Sequence, residues 1–133
     1  MRRILLLDND QPSRAEVVDK LRRAANTEAI VVDDAVQLIS HVRYGIYAAV
    51  FADADLVGDH IPALIDAVRS AIARPMLVVA SNHVHHELDG DLVTLIVRKP
   101  YDIEIVTGVL LSAVLAATPP PNASGDLQKP TTT

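Results

Sequence analysis

Three apolar runs in this chain end in groups that could handle phosphate. Asp8, Asn9 and Asp10 close the run Ile4-Leu5-Leu6-Leu7, and Asp53 and Asp55 close Ala48-Ala49-Val50-Phe51-Ala52. A third run, Leu92 to Val97, ends in Arg98-Lys99-Pro100. Carboxylates packed closely repel one another, and a neighbouring cation is what keeps them ionised. Mg²⁺ suits an all-oxygen site of one or two carboxylates, a carbonyl and several waters. A carboxylate beside such an ion can attack a phosphoryl donor while the metal and a lysine neutralise the transferred group. Asp and Asn are also ordinary turn and helix-cap residues. That explanation suffices for one strand-end Asp, but three strand ends of complementary chemistry point to a phosphate site.

The elements that must position these groups alternate in pattern. Runs at Arg3–Leu7, Ala29–Val32, Ala48–Ala52, Met76–Ala80 and Leu92–Val97 are short, aliphatic and β-branched, the signature of buried parallel strands. Between them lie amphipathic segments. Val17, Val18, Leu21, Ala24 and Ala25 share one helical face, as do Ala35, Leu38, Ile39 and Val42. So do Ile61, Leu64, Ile65, Val68 and Ile72, with Asp66, Arg69 and Ser70 turned away. Val106, Val109, Leu110, Ala113, Val114 and Ala117 define a last helix. Between Asn82 and Asp91 only Val84 and Leu88 are apolar, so a short or irregular helix is expected there. The order βαβαβαβαβα is that of a parallel sheet covered on both faces, a three-layer α/β sandwich. In such a sheet ligands sit beyond the carboxyl ends of the strands, where these polar groups fall.

The 133 residues are expected to form one domain over 1–117, followed by a disordered Pro/Thr-rich tail over 118–133. With one Phe, three Tyr and no Trp, the core must be aliphatic. A net charge of −5 argues against direct contact with nucleic acid, which needs clustered Lys and Arg. No cysteine is present, which excludes disulfides and thiolate metal sites. No apolar stretch approaches the ~20 residues of a membrane span. Asp8 interrupts the N-terminal apolar run too early for a signal peptide, so a cytoplasmic protein is expected.

Leu6-Leu7-Asp8-Asn9 followed by Arg14 is similar to an acidic pair with an arginine in the first helix. Tyr47 to Asp53 is similar to a stretch ending in a phosphoacceptor aspartate, and Val97-Arg98-Lys99-Pro100-Tyr101 to a terminal Lys-Pro-aromatic motif. In these features residues 2–117 resemble the receiver domains of bacterial two-component response regulators. The resemblance implies a flavodoxin-like (βα)₅ fold with strand order 2-1-3-4-5. It implies a phosphoacceptor at Asp53, phosphoryl contact from Lys99, Mg²⁺ as cofactor and a frequently cis Lys99–Pro100 bond. Asp8, Asn9, Asp10, Asp53 and Asp55 are the candidate metal residues. A histidine kinase or phosphotransfer protein is the implied donor, and a downstream protein the implied partner. The chain is then a signalling phosphoacceptor rather than an enzyme, with self-dephosphorylation its own chemical step.

The departures from that family are specific. Asn9 replaces a metal-binding carboxylate, which weakens Mg²⁺ binding unless Asp10 or Asp55 supplies the charge. Ala80 stands where a Thr or Ser normally contacts the phosphoryl group, and adjacent Ser81 points to the opposite face by strand alternation. Ile96 replaces a switching aromatic, Val57 a frequent proline, and the glycine usual after the acceptor loop is displaced. These changes favour an altered output surface over the fourth helix, fifth strand and fifth helix. They also support a non-phosphorylated pseudo-receiver as an alternative. A second alternative is a small haloacid-dehalogenase-like phosphatase using Asp8 and Asp10, although Pro12 departs from that motif. His83, His85 and His86, with His60 or Glu87, could bind Zn²⁺ or Ni²⁺, but solvated polar residues are the simpler reading. Arg98 is expected to face solvent.

Overall fold

The computed structural model describes residues 1–83, 88 and 92–117. Five strands, β1 (Arg2–Leu7), β2 (Thr27–Val31), β3 (Ala49–Asp53), β4 (Met76–Ser81) and β5 (Val93–Arg98), form one sheet in the order β2-β1-β3-β4-β5. Every pairing is parallel. The helices are α1 (Gln11–Arg23), α2 (Ala35–Tyr44), α3 (Ala54–Val57), α4 (Ile61–Ser70) and α5 (Ile103–Ala117). This is the three-layer α/β sandwich expected from the strand and helix patterns, with the flavodoxin-like strand order that the receiver resemblance implied.

The core divides by the period-2 alternation of the strands. Leu5, Leu7, Val50, Ala52, Leu77 and Val79 meet Leu38 and Val42 of α2 and Leu64 and Val68 of α4 on one face. Ile4, Leu6, Phe51, Val78 and Ala80 meet Val17 and Leu21 of α1 and Val106, Leu110 and Val114 of α5 on the other. Central strands buried on both sides therefore read as unbroken apolar runs. Edge strand β5 differs: Leu95 and Val97 pack toward α5, whereas Thr94, Ile96 and Arg98 are exposed. The β4–β5 register shifts between Leu77 and Val78, so Val93 packs against the α2/α4 side of the core and Leu95 against the α1/α5 side.

Two helix expectations need correction. Helix α1 stops at Arg23, and Ala25 is exposed rather than on the apolar face. Helix α4 stops at Ser70, because Ala71 turns to an extended conformation (ψ 143°) and carries Ile72 into solvent at 94 % exposure. The apolar period of this segment runs on two residues beyond the end of the helix at Ser70. Ile72→Ser is accordingly expected to change stability by no more than about 0.5 kcal/mol in urea unfolding. The segment after Asp53 is also more divided than its periodicity suggests. Short α3 buries Ala54 and Val57, and Gly58 ends it at φ 53°, a conformation that favours glycine. A 3₁₀ turn, Gly58–His60, then leads into α4.

The helix expected between Asn82 and Asp91 falls largely outside the described residues, as does the 118–133 tail. Leu88 is described, and it is buried against the α2/α4 side of the core. No helix among the described residues is long and apolar enough to cross a membrane.

Candidate functional site

The parallel register brings three strand ends together. Leu7 of β1 lies beside Ala52 of β3, Asp53 beside Ala80 of β4, and Ala80 beside Val97 of β5. The residues just beyond, Asp8, Asp53 and Lys99, therefore share the carboxyl edge of the sheet. Asp8 and Asp53 are buried, at 3 % and 1 % exposure, an environment in which a carboxylate needs partners.

Asp53 finds two. Its Oδ1 accepts the Asp55 amide at 3.0 Å, capping α3. Lys99 Nζ donates to Oδ1 at 3.0 Å and to Oδ2 at 2.9 Å. The same ammonium lies 3.1 Å from Asp55 Oδ2. Burial of Lys99 works against its charge, but the hydrogen bonds to Asp53 and Asp55 outweigh it and raise its pKa above the ordinary value. Lys99 is thus a fixed cation spanning two carboxylates. The Lys99–Pro100 bond that leads away from it is cis.

Asp55 is held chiefly from the β4 side. Its Oδ1 accepts from Ser81 Oγ at 3.1 Å, and its Oδ2 from the Asn82 amide at 3.0 Å. Ser81 Oγ also accepts from the His83 amide at 3.0 Å, and its single hydroxyl proton is shared between Asp55 Oδ1 and the His83 carbonyl at 2.7 Å. Strand alternation does turn Ser81 away from Asp53, yet it reaches the site's periphery through Asp55. The sequence offered no sign of that link, because it depends on how α3 leaves β3.

Asp8 is held differently. Its Oδ1 accepts the Asp10 amide at 3.0 Å, its Oδ2 accepts the Tyr101 hydroxyl, and its carbonyl accepts from Arg14 at 3.2 Å. Burial pushes the Asp8 carboxyl above its ordinary pKa, the charges of Asp53 and Asp10 add to that, and the Tyr101 and Asp10 hydrogen bonds oppose it. Burial, followed by the hydrogen bond to Asp8, pushes the Tyr101 hydroxyl far above its ordinary range, so it remains a donor. Asn9 and Asp10 are exposed, and Asp10 Oδ2 accepts from Ser13 Oγ at 2.8 Å in the first turn of α1. Pro12 sits in that same turn, where its missing N–H costs nothing.

The raised carboxyl of Asp8 has a measurable consequence. An acid whose folded pKa exceeds its unfolded value binds a proton longer in the native state. Stability then falls as pH rises from the unfolded value, near 3.8, through the raised folded one. Asp8→Asn is expected to stabilise the protein by about 1 kcal/mol at pH 7 in EDTA. The gain should shrink as pH falls toward 4, as urea midpoints across pH would reveal.

Among the described residues no group of three or more His, Asp or Glu side chains could hold a metal by itself. A Mg²⁺ ion asks for less: one or two carboxylates, with water and phosphate oxygens completing the shell. Asp8 and Asp53 fit that need: both carboxylates are buried at the carboxyl edge of the sheet, and the Asp53 charge adds to the upward push on the Asp8 carboxyl, which a cation would relieve. Asp55 and Asp10 are engaged with Lys99, Ser81, Asn82 and Ser13. Ala80 is fully buried and brings no hydroxyl, Ile96 is 52 % exposed, and Val57 is buried in the core. His60 and His83 are exposed, whereas His85, His86 and Glu87 lie outside the described residues.

No protein-family model and no curated protein matches this chain. Solved structures do. A sensor protein from Polaromonas sp. JS666 superposes with a TM-score of 0.65 at 24 % identity, covering 88 % of this chain and 98 % of that one. The Francisella response regulator 1452 receiver domain gives a TM-score of 0.67 at 14 % identity, covering 89 % and 100 %. The receiver domain of sensor histidine kinase PA1611 from Pseudomonas aeruginosa PAO1, with magnesium coordinated in its active-site cleft, gives 0.60 at 19 % identity, covering 85 % and 97 %. The chain therefore has the fold of response-regulator receiver domains.

Proposed function

We propose that this domain is an atypical receiver that accepts a phosphoryl group on Asp53 from a histidine kinase or phosphotransfer protein. The observation that carries the proposal is the buried Asp53 carboxylate with Lys99 Nζ on both its oxygens. An Asp53 oxygen attacks phosphorus, the new O–P bond forms as the P–N bond of the donor breaks, and the electron pair stays on the imidazole nitrogen. Lys99 is placed to follow the negative charge from carboxylate to phosphoryl oxygen without leaving the site. Mg²⁺, when bound, would be held by Asp8 and Asp53 and would neutralise phosphoryl charge. The neutral Asn9 leaves that metal site short of one carboxylate, so weakened binding is part of the proposal. The altered β5 surface, with Ile96 in place of an aromatic, supports signalling through protein–protein contacts of a different kind from the usual switch.

The pseudo-receiver alternative draws support from buried Ala80 and from Asp8, whose two oxygens are already occupied. The phosphatase alternative is disfavoured by the same Asp8 bonds and by the engagement of Asp10 with Ser13. One experiment separates the readings. With Mg²⁺ and acetyl phosphate or beryllofluoride, the proposal expects a covalent or tight mimic adduct by mass spectrometry or ¹⁹F NMR. No adduct at high Mg²⁺ would establish the pseudo-receiver, and ester turnover dependent on Asp8 but not Asp53 the phosphatase.

A further inference from the structure

Tyr101 does more than complete a Lys-Pro-aromatic pattern. Its ring packs edge-on against Phe51, with centroids 5.3 Å apart at 63°, and this contact fixes where the hydroxyl points. The hydroxyl donates to Asp8 Oδ2, while Oδ1 of the same carboxylate is taken by the Asp10 amide. Asp8 is 3 % exposed, so its oxygens offer little approach that these donors do not already fill. A buried carboxylate lacking a cation needs such partners. With Asn9 neutral, the hydroxyl supplies from the protein itself part of the stabilisation that a cation would otherwise bring.

We infer that Tyr101 is a positioning residue that sets the divalent-cation affinity of the site by competing for Asp8 Oδ2. The inference rests on reading Asp8 and Asp53 as a cation-assisted phosphoryl site. A cation drawing on that oxygen, directly or through a bound water, must either displace the hydroxyl or share with it the negative charge of the oxygen. Tyr101 thereby offsets part of the burial cost of Asp8 without metal, and the competition lowers cation affinity beyond what Asn9 alone would cause.

The test is a Mg²⁺ titration of wild type and Tyr101→Phe, followed through the backbone amide shifts of Asp10 and Asp53. Phe keeps the edge contact with Phe51 and deletes only the donor. Hydrogen bonds to charged groups are strong enough that Tyr101→Phe should tighten Mg²⁺ binding by about three- to tenfold. The gain should vanish when Asp8→Asn is already present, a non-additivity that a purely structural role would not produce. Equal or weaker binding by Tyr101→Phe, or an equal gain in the Asp8→Asn background, would overturn the role of Tyr101 while leaving the cation site standing. Absence of binding in both wild type and Tyr101→Phe would instead overturn the cation-site reading itself.

Discussion

Lys99→Met is expected to destabilise the protein by about 2 kcal/mol at neutral pH and to slow phosphoryl acceptance by a factor on the order of 100 or more. The ammonium lies within 3.1 Å of carboxylate oxygens from both Asp53 and Asp55. Removing it takes away the ammonium that lies against both carboxylates, one of them almost fully buried. Breaking a fully buried pair costs about 3–5 kcal/mol, and the smaller figure allows for the partial exposure of Lys99 and Asp55, at 19 % and 21 %. Because the folded pKa of Lys99 is raised, its contribution is fully present below the unfolded lysine value and is lost only as pH climbs through the folded one. The difference between wild type and Lys99→Met should therefore be flat from pH 6 to pH 9. Urea unfolding at several pH values, paired with adduct formation by mass spectrometry, measures both effects. A variant as stable and as reactive as wild type would remove Lys99 from the site.

Asp53→Asn is expected to abolish the adduct, a loss of at least about 10³-fold, while the fold persists. An amide cannot serve as the nucleophile, because its oxygen lacks the carboxylate's charge. Its oxygen can still accept the Asp55 amide and so keep the cap of α3. Lys99 keeps its contact with Asp55 at 3.1 Å. Stability should change by no more than about 1–2 kcal/mol, since the lost ion pair is partly offset by relief of repulsion with Asp8. An adduct of undiminished yield on Asp53→Asn would place the acceptor elsewhere, and Asp8 is the next carboxylate to replace.

These predictions draw on two kinds of information. The strands were legible because each central strand is buried on both faces and reads as an uninterrupted aliphatic run. The strand-end positions of Asp8, Asp53 and Lys99 followed from where those runs stop. The length of α4 was not legible: the apolar period continues to Ile72, but the chain turns to an extended conformation at Ala71 and leaves Ile72 in solvent. Nor was α3, which is too short to show a period and exists because Asp53 caps it and Gly58 releases it.

The sequence alone determined that carboxylates and one lysine would stand at the carboxyl ends of buried parallel strands, since the strands and their burial follow from local pattern, whereas the strand order came only from the family resemblance. Tertiary structure decided which of them pair. Asp53 and Lys99 are 46 residues apart, Asp55 and Ser81 26, and Asp8 and Tyr101 93. Side-chain direction at a strand end depends on register with its neighbours and on the path of the following loop, and neither is a local property. That is why Asp55 belongs with Lys99 and Ser81 rather than with Asp8, and why a tyrosine hydroxyl faces the carboxylate where the sequence suggested only a metal.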